Sequence, residues 1–239
     1  MPQSTMAETV RFAHCFAGCP TGAPADNHVI ARSIYTLSFN SDTRIADWSA
    51  YTVTAGSIGV ATNLSRAPLV DPFVTSMLDP GEFPAAGEGN HLILDYLVPL
   101  VSFAGTPFWA EANFLTNRVP RNSELNRGSW YGLEWAVRNL ANRTASLYVV
   151  TGPLFAETVQ LSTAAAAGAV PSGFFKVVVD EGGHMAAFLF PQELPFHVHH
   201  CEQLTSVAEI EQLSGLDLFP ELTQAPLEDL SEKLGCFRP

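Results

Sequence analysis

Four polar or aromatic residues recur at a spacing of four in the middle of the chain, and they include three side chains that can do chemistry. They are Asn126, Trp130, Glu134 and Arg138. Residues four apart on an α-helix lie in one slowly drifting row. Such a row is either a solvated face with a Glu134–Arg138 ion pair worth roughly 0.3 kcal/mol, or a metal ligand followed by phosphate-binding groups. Spacing alone favours the solvated face.

The segment that would carry this row has the pattern of an amphipathic helix. Residues 125–143 place Leu133, Val137 and Leu140 on one apolar stripe, as expected for a helix that packs on a core. A second helix is predicted at 206–215, with Gly215 as its C-cap. A short terminal helix is predicted at 227–235.

The remaining apolar pattern predicts strands. The clearest strand segments are residues 33–40, 48–55, a run from 91 that ends near Pro99, 145–155, 173–180 and 185–191. Residues 56–91 are broken by Pro and Gly and read as a long irregular connection. The alanine run at 164–167 reads as a loop or a helical turn. The sequence thus predicts a mixed arrangement of helices and strands.

Length and composition are those of a globular protein. The chain has 239 residues, of which 47% are apolar, enough for one sizeable core. We expect a single domain over residues 1–239. The sequence has no run of eighteen apolar residues, so no membrane span is predicted. The first residues lack the basic-then-apolar pattern of a secretory signal.

Net charge argues against binding nucleic acid through the bulk surface. The charge is −12, and only two lysines, Lys176 and Lys233, accompany ten arginines. A protein that holds nucleic acid by long-range attraction carries the opposite sign. The simplest interpretation is a solvated acidic surface, although ten arginines can still form a local basic groove.

The four cysteines and a histidine cluster are the remaining candidates for cross-links or metal sites. Cys15 and Cys19 lie close together, and Cys201 and Cys236 flank the C-terminal segment. An even count allows two disulfides and an oxidising compartment. Zinc is the weaker alternative because no Cys-x-x-Cys pair is present. The FHVHH segment at 196–200 is interpreted as surface histidines in a loop rather than a metal site.

A longer stretch around the helix resembles a known family. The segment NFLTNRVPRNSELNRGSWYGLE resembles the core of the DNA/RNA non-specific endonucleases, also called ββα-metal nucleases. The segments CFAGCPTG, VTGPLF, MAAFLF and EIEQLSGL match in the family's order, so the resemblance covers most of the chain. It implies an α+β fold with a central antiparallel sheet flanked by helices. It also implies the disulfides Cys15–Cys19 and Cys201–Cys236.

The resemblance further implies a set of site residues. In this family one Mg²⁺ is held by a single asparagine and several waters, which suits an ion that dehydrates reluctantly. The matching residue is Asn126. A histidine acts as the general base, and the metal stabilises the transition state. Glu134, Arg138, Asn117 and, less securely, Arg66 match the other site positions.

The family's Asp-Arg-Gly-His signature is lost in this chain. An ungapped match through PLVSFAG aligns those four positions with Ile93, Leu94, Asp95 and Tyr96. A further family position, a glutamine, is Arg121 here. His91 at the end of GNH would imitate the signature only with a five-residue insertion, so we prefer Tyr96 at the general-base position. Asp95, its neighbour on a strand, is expected to point to the opposite face.

Tyrosine is a poor substitute for that histidine. An unperturbed phenol has a pKa of about 10, so about 0.1% is phenolate at pH 7 and reaching that form costs roughly 4 kcal/mol. Loss of a positioned general base typically costs about 10²–10⁴ in rate. The sequence therefore predicts that hydrolysis is absent or strongly weakened.

Three functions are consistent with these observations. The preferred one is a catalytically degenerate nuclease fold that serves as a binding or structural module and can retain Mg²⁺ binding through Asn126. Its ligand would be a protein partner, its own copies or, against the net charge, nucleic acid. The alternative is an active Mg²⁺-dependent endonuclease with altered base chemistry. An unrelated hydrolase or lectin-like activity has no motif in its favour, and no GxSxG pattern occurs. The cysteines favour an oxidising compartment, whereas the missing signal favours the opposite.

Overall fold

The protein is built around one antiparallel sheet of seven strands. A computed structural model describes residues 12–82, 91–155 and 170–237. The sheet order is β1-β2-β3-β6-β7-β8-β9, and every neighbouring pair is antiparallel. Its strands are β1 His28–Ala31, β2 Thr36–Asn40, β3 Ile45–Val53, β6 Leu147–Leu154, β7 Gly173–Asp180, β8 Met185–Pro191 and β9 Leu204–Thr205.

A separate two-stranded ribbon leads into the main helix. Strand β4, Leu92–Tyr96, pairs antiparallel with β5, Arg118–Asn122. The chain then forms a short α-helical turn α1, Ser123–Leu125, a kinked segment Asn126–Trp130 and helix α2, Tyr131–Ala141. Two strands followed by a helix give this part of the protein a ββα order.

Both faces of the main sheet are covered, which explains why its central strands are almost continuously apolar. Along β7, Val177 and Val179 belong to one apolar core, whereas Val178 belongs to the other, as the two-residue period of a strand requires. Helix α2 and the β4–β5 ribbon contribute to the core that contains Val178. Helix α3, Val207–Ser214, contributes to the core on the opposite face.

Most predicted elements are found, with changed boundaries. The five predicted main-sheet strands and α3 are present, and Gly215 is a left-handed C-cap at φ 72°. The apolar run that begins at 91 is a strand only to Tyr96, because residues from Leu100 form a 3₁₀ helix. The terminal helix is 3₁₀, at Leu230–Leu234. Strands β1, β5 and β9 were not predicted, and the alanine run at 164–167 lies outside the described residues.

All four cysteines are paired. The disulfides are Cys15–Cys19 and Cys201–Cys236, which confirms the pairing that the resemblance implied and excludes zinc binding through free cysteines. Two disulfides fit an oxidising setting. Among the described residues, no helix has the length and apolar content needed to cross a membrane.

Candidate active site

A cleft of about 160 Å³ opens between the β4–β5 ribbon and helix α2. It brings together five of the six predicted site residues, which are Arg66, Tyr96, Asn126, Glu134 and Arg138. Three departures from the family pattern, Asp95, Tyr96 and Arg121, lie in its lining as well. Residues that are up to 72 positions apart in the chain therefore form one site.

The start of the helix is shaped by local sequence. Asn122 caps α1 by accepting a hydrogen bond from the Glu124 backbone N–H at 2.8 Å, a favoured role for asparagine. Gly128 then breaks the helical geometry at φ −90° and ψ −114°. A Cβ at Gly128 would lie 2.4 Å from the Phe196 carbonyl oxygen, so only glycine allows this close approach. The kink at Gly128 thus lies just after Asn126 in the chain and separates it from helix α2.

The side-chain amide of Asn126 is engaged at both ends. Its Oδ1 accepts a hydrogen bond from Arg121 Nη1 at 2.9 Å, and its Nδ2 donates to Asp95 Oδ2. The predicted metal ligand therefore bridges a guanidinium and a carboxylate.

Arg121 is fully buried at this position. Its Nη2 donates to the Tyr96 carbonyl oxygen at 3.0 Å, and its guanidinium lies 3.8 Å from the ring centre of Trp130 and 4.8 Å from that of Phe174. Burial lowers the pKa of Arg121 to about 10, against the opposing effects of Asp95 and Glu134. The side chain is still a cation at neutral pH.

Tyr96, at the general-base position, is held as a hydrogen-bond donor. Its hydroxyl donates to Asn113 Oδ1 at 2.9 Å, and the Arg118 guanidinium lies 3.6 Å from the centre of its ring. The side chain is only 8% exposed. Desolvation raises the pKa of Tyr96 despite the nearby cations Arg118 and Arg66, so the phenolate is disfavoured further.

On the α2 side of the cleft, Glu134 lies near two cations, of which Arg138 lines the cleft and Lys176 does not. Lys176 Nζ lies 3.4 Å from Glu134 Oε1, and Arg138 Nη1 lies 3.8 Å from Glu134 Oε2. Both Glu134 and Arg138 are largely buried, so the row along the helix is not a solvated face. Arg138 Nη1 is buried and has no hydrogen-bond partner within the described part of the chain, and its charge is balanced by the ion pair with Glu134.

Lys176, Arg118 and Asn113 were not predicted as site residues. Lys176 is 1% exposed and lies 3.9 Å from the centre of the Trp130 ring. Burial lowers its pKa to about 8, although Glu134 opposes that shift. One of only two lysines stands inside the apolar run GFFKVVVD, and a buried lysine normally has a partner. That position was the signal by which Lys176 could have been found.

Asn117, the sixth predicted residue, lies outside the cleft lining. Its Oδ1 accepts from the Val98 backbone N–H at 2.9 Å, and its Nδ2 donates to the carbonyl oxygens of Val98 and Ala112. The amide thus ties the segment after β4 to the segment before β5. In the structure described, both ends of this amide are bound to backbone groups.

The expectation that Asp95 points away from Tyr96 is wrong at the cleft. Tyr96 is the last residue of β4, and the Asp95 carboxylate accepts the Tyr96 backbone N–H at 2.7 Å. The carboxylate therefore turns toward the cleft edge, where Asn126 binds its second oxygen. A strand rule that holds along a regular strand does not apply at its end.

No histidine compensates for Tyr96. All seven histidines lie within the described residues, and none of them lines the cleft. His91 is exposed before β4, and its carbonyl oxygen accepts from the Ser123 N–H. His197 and His199 lie on the exposed loop, as expected, and His199 Nδ1 accepts from the Cys201 N–H.

A larger concavity elsewhere lacks comparable chemistry. About 730 Å³ of space lies beside the Cys15–Cys19 disulfide, and Glu221 is the single charged side chain among its described lining residues. The cleft near α2 is therefore the candidate active site.

Comparison with known proteins identifies the origin of this arrangement. The family model described as DNA/RNA non-specific endonuclease matches residues 17–225. The chain belongs to the DNA/RNA non-specific endonuclease family. The resemblance seen in the sequence is thereby confirmed.

Individual relatives agree with the family assignment. A nuclease of Serratia marcescens is 35% identical, with 93% of this chain and 89% of that protein covered. Nuclease C1 of Cunninghamella echinulata var. echinulata is 27% identical, with 87% and 88% covered. A chain from a crystal structure of an EndoG/EndoGI complex aligns with a TM-score of 0.65 at 22% identity, covering 84% of this chain and 89% of that chain. The fold is the α+β fold of the ββα-metal nucleases, as predicted.

Proposed function

We propose that this chain is a catalytically degenerate member of the non-specific endonuclease family that acts, as a single domain over residues 1–239, as a binding or structural module. The observation that carries the proposal is the state of Tyr96. A general base needs a free lone pair near the attacking water, whereas the Tyr96 hydroxyl donates to Asn113 and its pKa is raised by burial.

The rest of the cleft supports a binding role. Its lining has three cations, Arg66, Arg121 and Arg138, against the carboxylates of Asp95 and Glu134. The chain as a whole has a net charge of −12. An anionic ligand such as a phosphate group would be held locally by Arg66 and Arg138, not attracted over long range. Nucleic acid is thus one candidate ligand, beside a protein partner or a second copy of the chain.

The alternative is an active endonuclease that cleaves DNA or RNA phosphodiester bonds with different base chemistry. It is favoured by the convergence of Asn126, Glu134, Arg138 and Arg66 in one cleft. Mg²⁺ held through Asn126 belongs to this alternative. The two disulfides favour an oxidising compartment under either proposal.

The experiment that separates the two is a cleavage assay. Purified native protein is incubated with plasmid DNA and with RNA in Mg²⁺, beside Asn126→Ala prepared identically. A reverted variant restores four of the five changed family residues, all except that at Ile93, through the substitutions Leu94→Arg, Asp95→Gly, Tyr96→His and Arg121→Gln.

We expect no cleavage by the native protein and measurable cleavage by the reverted variant, because that variant regains the general base, its arginine neighbour and an Asn126 without charged partners. A gain of about 10²–10⁴ above the native background corresponds to a regained general base. Cleavage by the native protein that disappears in Asn126→Ala would overturn the proposal in favour of the active endonuclease.

A further inference from the structure

The metal implied by the family resemblance would depend on one side-chain atom, Asn126 Oδ1. Mg²⁺ binds oxygen ligands at about 2.0–2.1 Å in a strict octahedron. Asn126 Oδ1 already accepts a hydrogen bond from Arg121 Nη1 at 2.9 Å. A divalent ion bound to the same oxygen would be crowded against a guanidinium that keeps its charge at neutral pH.

The orientation of this amide is fixed from both sides. An arginine offers only donors, and a carboxylate offers only acceptors. Asn126 Oδ1 faces Arg121 and its Nδ2 faces Asp95. Turning the amide by 180° would place donor against donor and oxygen against carboxylate, so the carbonyl oxygen cannot be turned away from Arg121 without losing both bonds.

Arg121 itself has little room to move aside. Its side chain is 0% exposed and lies between the aromatic rings of Trp130 and Phe174. Its Nη2 also donates to the Tyr96 carbonyl oxygen at 3.0 Å. Displacing it would remove a cation from two rings and leave buried acceptors unpaired, which is costly.

Both partners of Asn126 are positions at which this chain departs from the family pattern. Asp95 aligns with the signature glycine, and Arg121 aligns with a glutamine. The two exchanges add one negative and one positive charge, and the Asn126 amide joins them. A new carboxylate alone would increase the attraction for a divalent cation. The new guanidinium offsets that attraction inside the same hydrogen-bonded group.

We propose that Arg121 is the resident cation of this site and keeps a divalent metal from binding to Asn126. The residues present therefore do not fit the Mg²⁺ that the family resemblance implies. This inference concerns the site of the proposed function, and it is separable from it because metal binding can be measured without substrate. A protein without hydrolysis could still bind metal, and that result would refute only this inference.

The test is Mn²⁺ binding, followed by the loss of the free Mn²⁺ signal in electron paramagnetic resonance. The native chain is compared with Asn126→Ala, and Arg121→Gln is compared with the double variant Arg121→Gln, Asn126→Ala. The difference within each pair isolates binding at Asn126. Arg118→Gln is the matched control, because Arg118 is a buried arginine on the same strand that contacts Tyr96 and Asn113 but not Asn126.

We expect no difference within the native pair and about one additional Mn²⁺ per chain in Arg121→Gln relative to its double variant. The unfolding midpoint of Arg121→Gln should also rise on addition of Mn²⁺, by about 5 °C at a Mn²⁺ concentration near one hundred times Kd. Arg118→Gln should gain no site. One Mn²⁺ per native chain that is lost in Asn126→Ala would overturn the inference, and this comparison stands even if Arg121→Gln does not fold.

Discussion

The two walls of the cleft differ in how their polar side chains are engaged. On the α2–β7 wall, Lys176 and Arg138 lie 3.4 and 3.8 Å from Glu134, so charged groups contact one another. On the β4–β5 wall, Tyr96 and Arg121 donate hydrogen bonds to the side chains of Asn113 and Asn126 and to the Tyr96 carbonyl oxygen. The first wall is thus a cluster of opposite charges, whereas Tyr96 and Arg121 on the second wall are bound to neutral amide and carbonyl groups.

The difference follows the pattern of departures from the family. Glu134 and Arg138 match the family residues, whereas Asp95, Tyr96 and Arg121 do not. Each of these three residues is hydrogen-bonded to another group of the protein. The side chains that depart from the family pattern are therefore integrated into the β4–β5 wall.

The largest expected effect tests whether the α2–β7 wall is still competent. In the reverted variant, Arg138→Met should reduce cleavage by about 10²–10³, the usual cost of removing one positioned charge stabiliser. Initial rates on plasmid DNA measure the effect. Arg143→Met serves as control, since Arg143 lies at the exposed end of α2 and its Nε donates to the Asn139 carbonyl oxygen. Equal rates with and without Arg138 would show that this wall is no longer functional.

The next largest effect is the pH dependence of stability that Lys176, the buried lysine of the α2–β7 wall, should cause. The pKa of Lys176 is lowered to about 8 in the folded protein, against 10.5 for the unperturbed side chain. Between these values the unfolded chain binds more protons than the folded chain, so the free energy of unfolding rises with pH. The total rise is about 3 kcal/mol at 1.36 kcal/mol per unit of pKa.

Urea unfolding at pH 7 to 10 measures this rise, and Lys176→Met removes the titrating group while keeping a side chain against Trp130. The native protein should gain stability over pH 8–10.5 relative to Lys176→Met. Parallel pH profiles for the two proteins would show that Lys176 titrates normally and that the wall is more hydrated than its 1% exposure indicates.

A smaller effect tests the packing role of the β4–β5 wall. Tyr96→Phe should lower the free energy of unfolding by about 1 kcal/mol, because one buried hydrogen bond to Asn113 is lost while Arg118 still binds that amide oxygen. Tyr131→Phe is the matched control, since Tyr131 is 53% exposed. An unchanged stability in Tyr96→Phe would mean that the hydroxyl is free for another role.

The smallest effect marks the outer limit of the α2–β7 wall. Trp135 follows Glu134 directly but is 58% exposed on the other side of the helix. Trp135→Gln should change the free energy of unfolding by less than about 0.5 kcal/mol, as for other surface substitutions. A clearly larger loss would show that the functional face of α2 extends around the helix.

The sequence predicted the parts of the fold that follow apolar patterns. Strands β6, β7 and β8 are apolar runs bounded by turn residues, and all three were found. Strand β5 was missed because RVPRN has neither alternation nor apolar content. It is a strand because β4 pairs with it, and its arginines are buried against aromatic rings. Such pairing is tertiary information that no local pattern contains.

The site residues likewise fall into those that the sequence identified and those that only the structure reveals. The resemblance identified Asn126, Glu134 and Arg138, and the structure brings them into one cleft. It did not identify Lys176, because this residue lies in a strand whose other side chains are almost all apolar. Lys176 contacts Glu134, which is 42 positions away in the chain. Nor could an alignment show that Asp95 and Arg121 would meet at one amide, because that contact depends on how β4, β5 and the segment that begins at Asn126 pack together.

The disulfide Cys201–Cys236 has a consequence for the protein after proteolysis. It links two points 35 residues apart, and the exposed segment 223–229 lies between them. A protease that cuts this segment would leave a C-terminal piece bearing Leu230 and Leu234, both buried in the core. That piece stays covalently attached, so nicked protein would migrate as one band without reductant and release a small fragment when reduced.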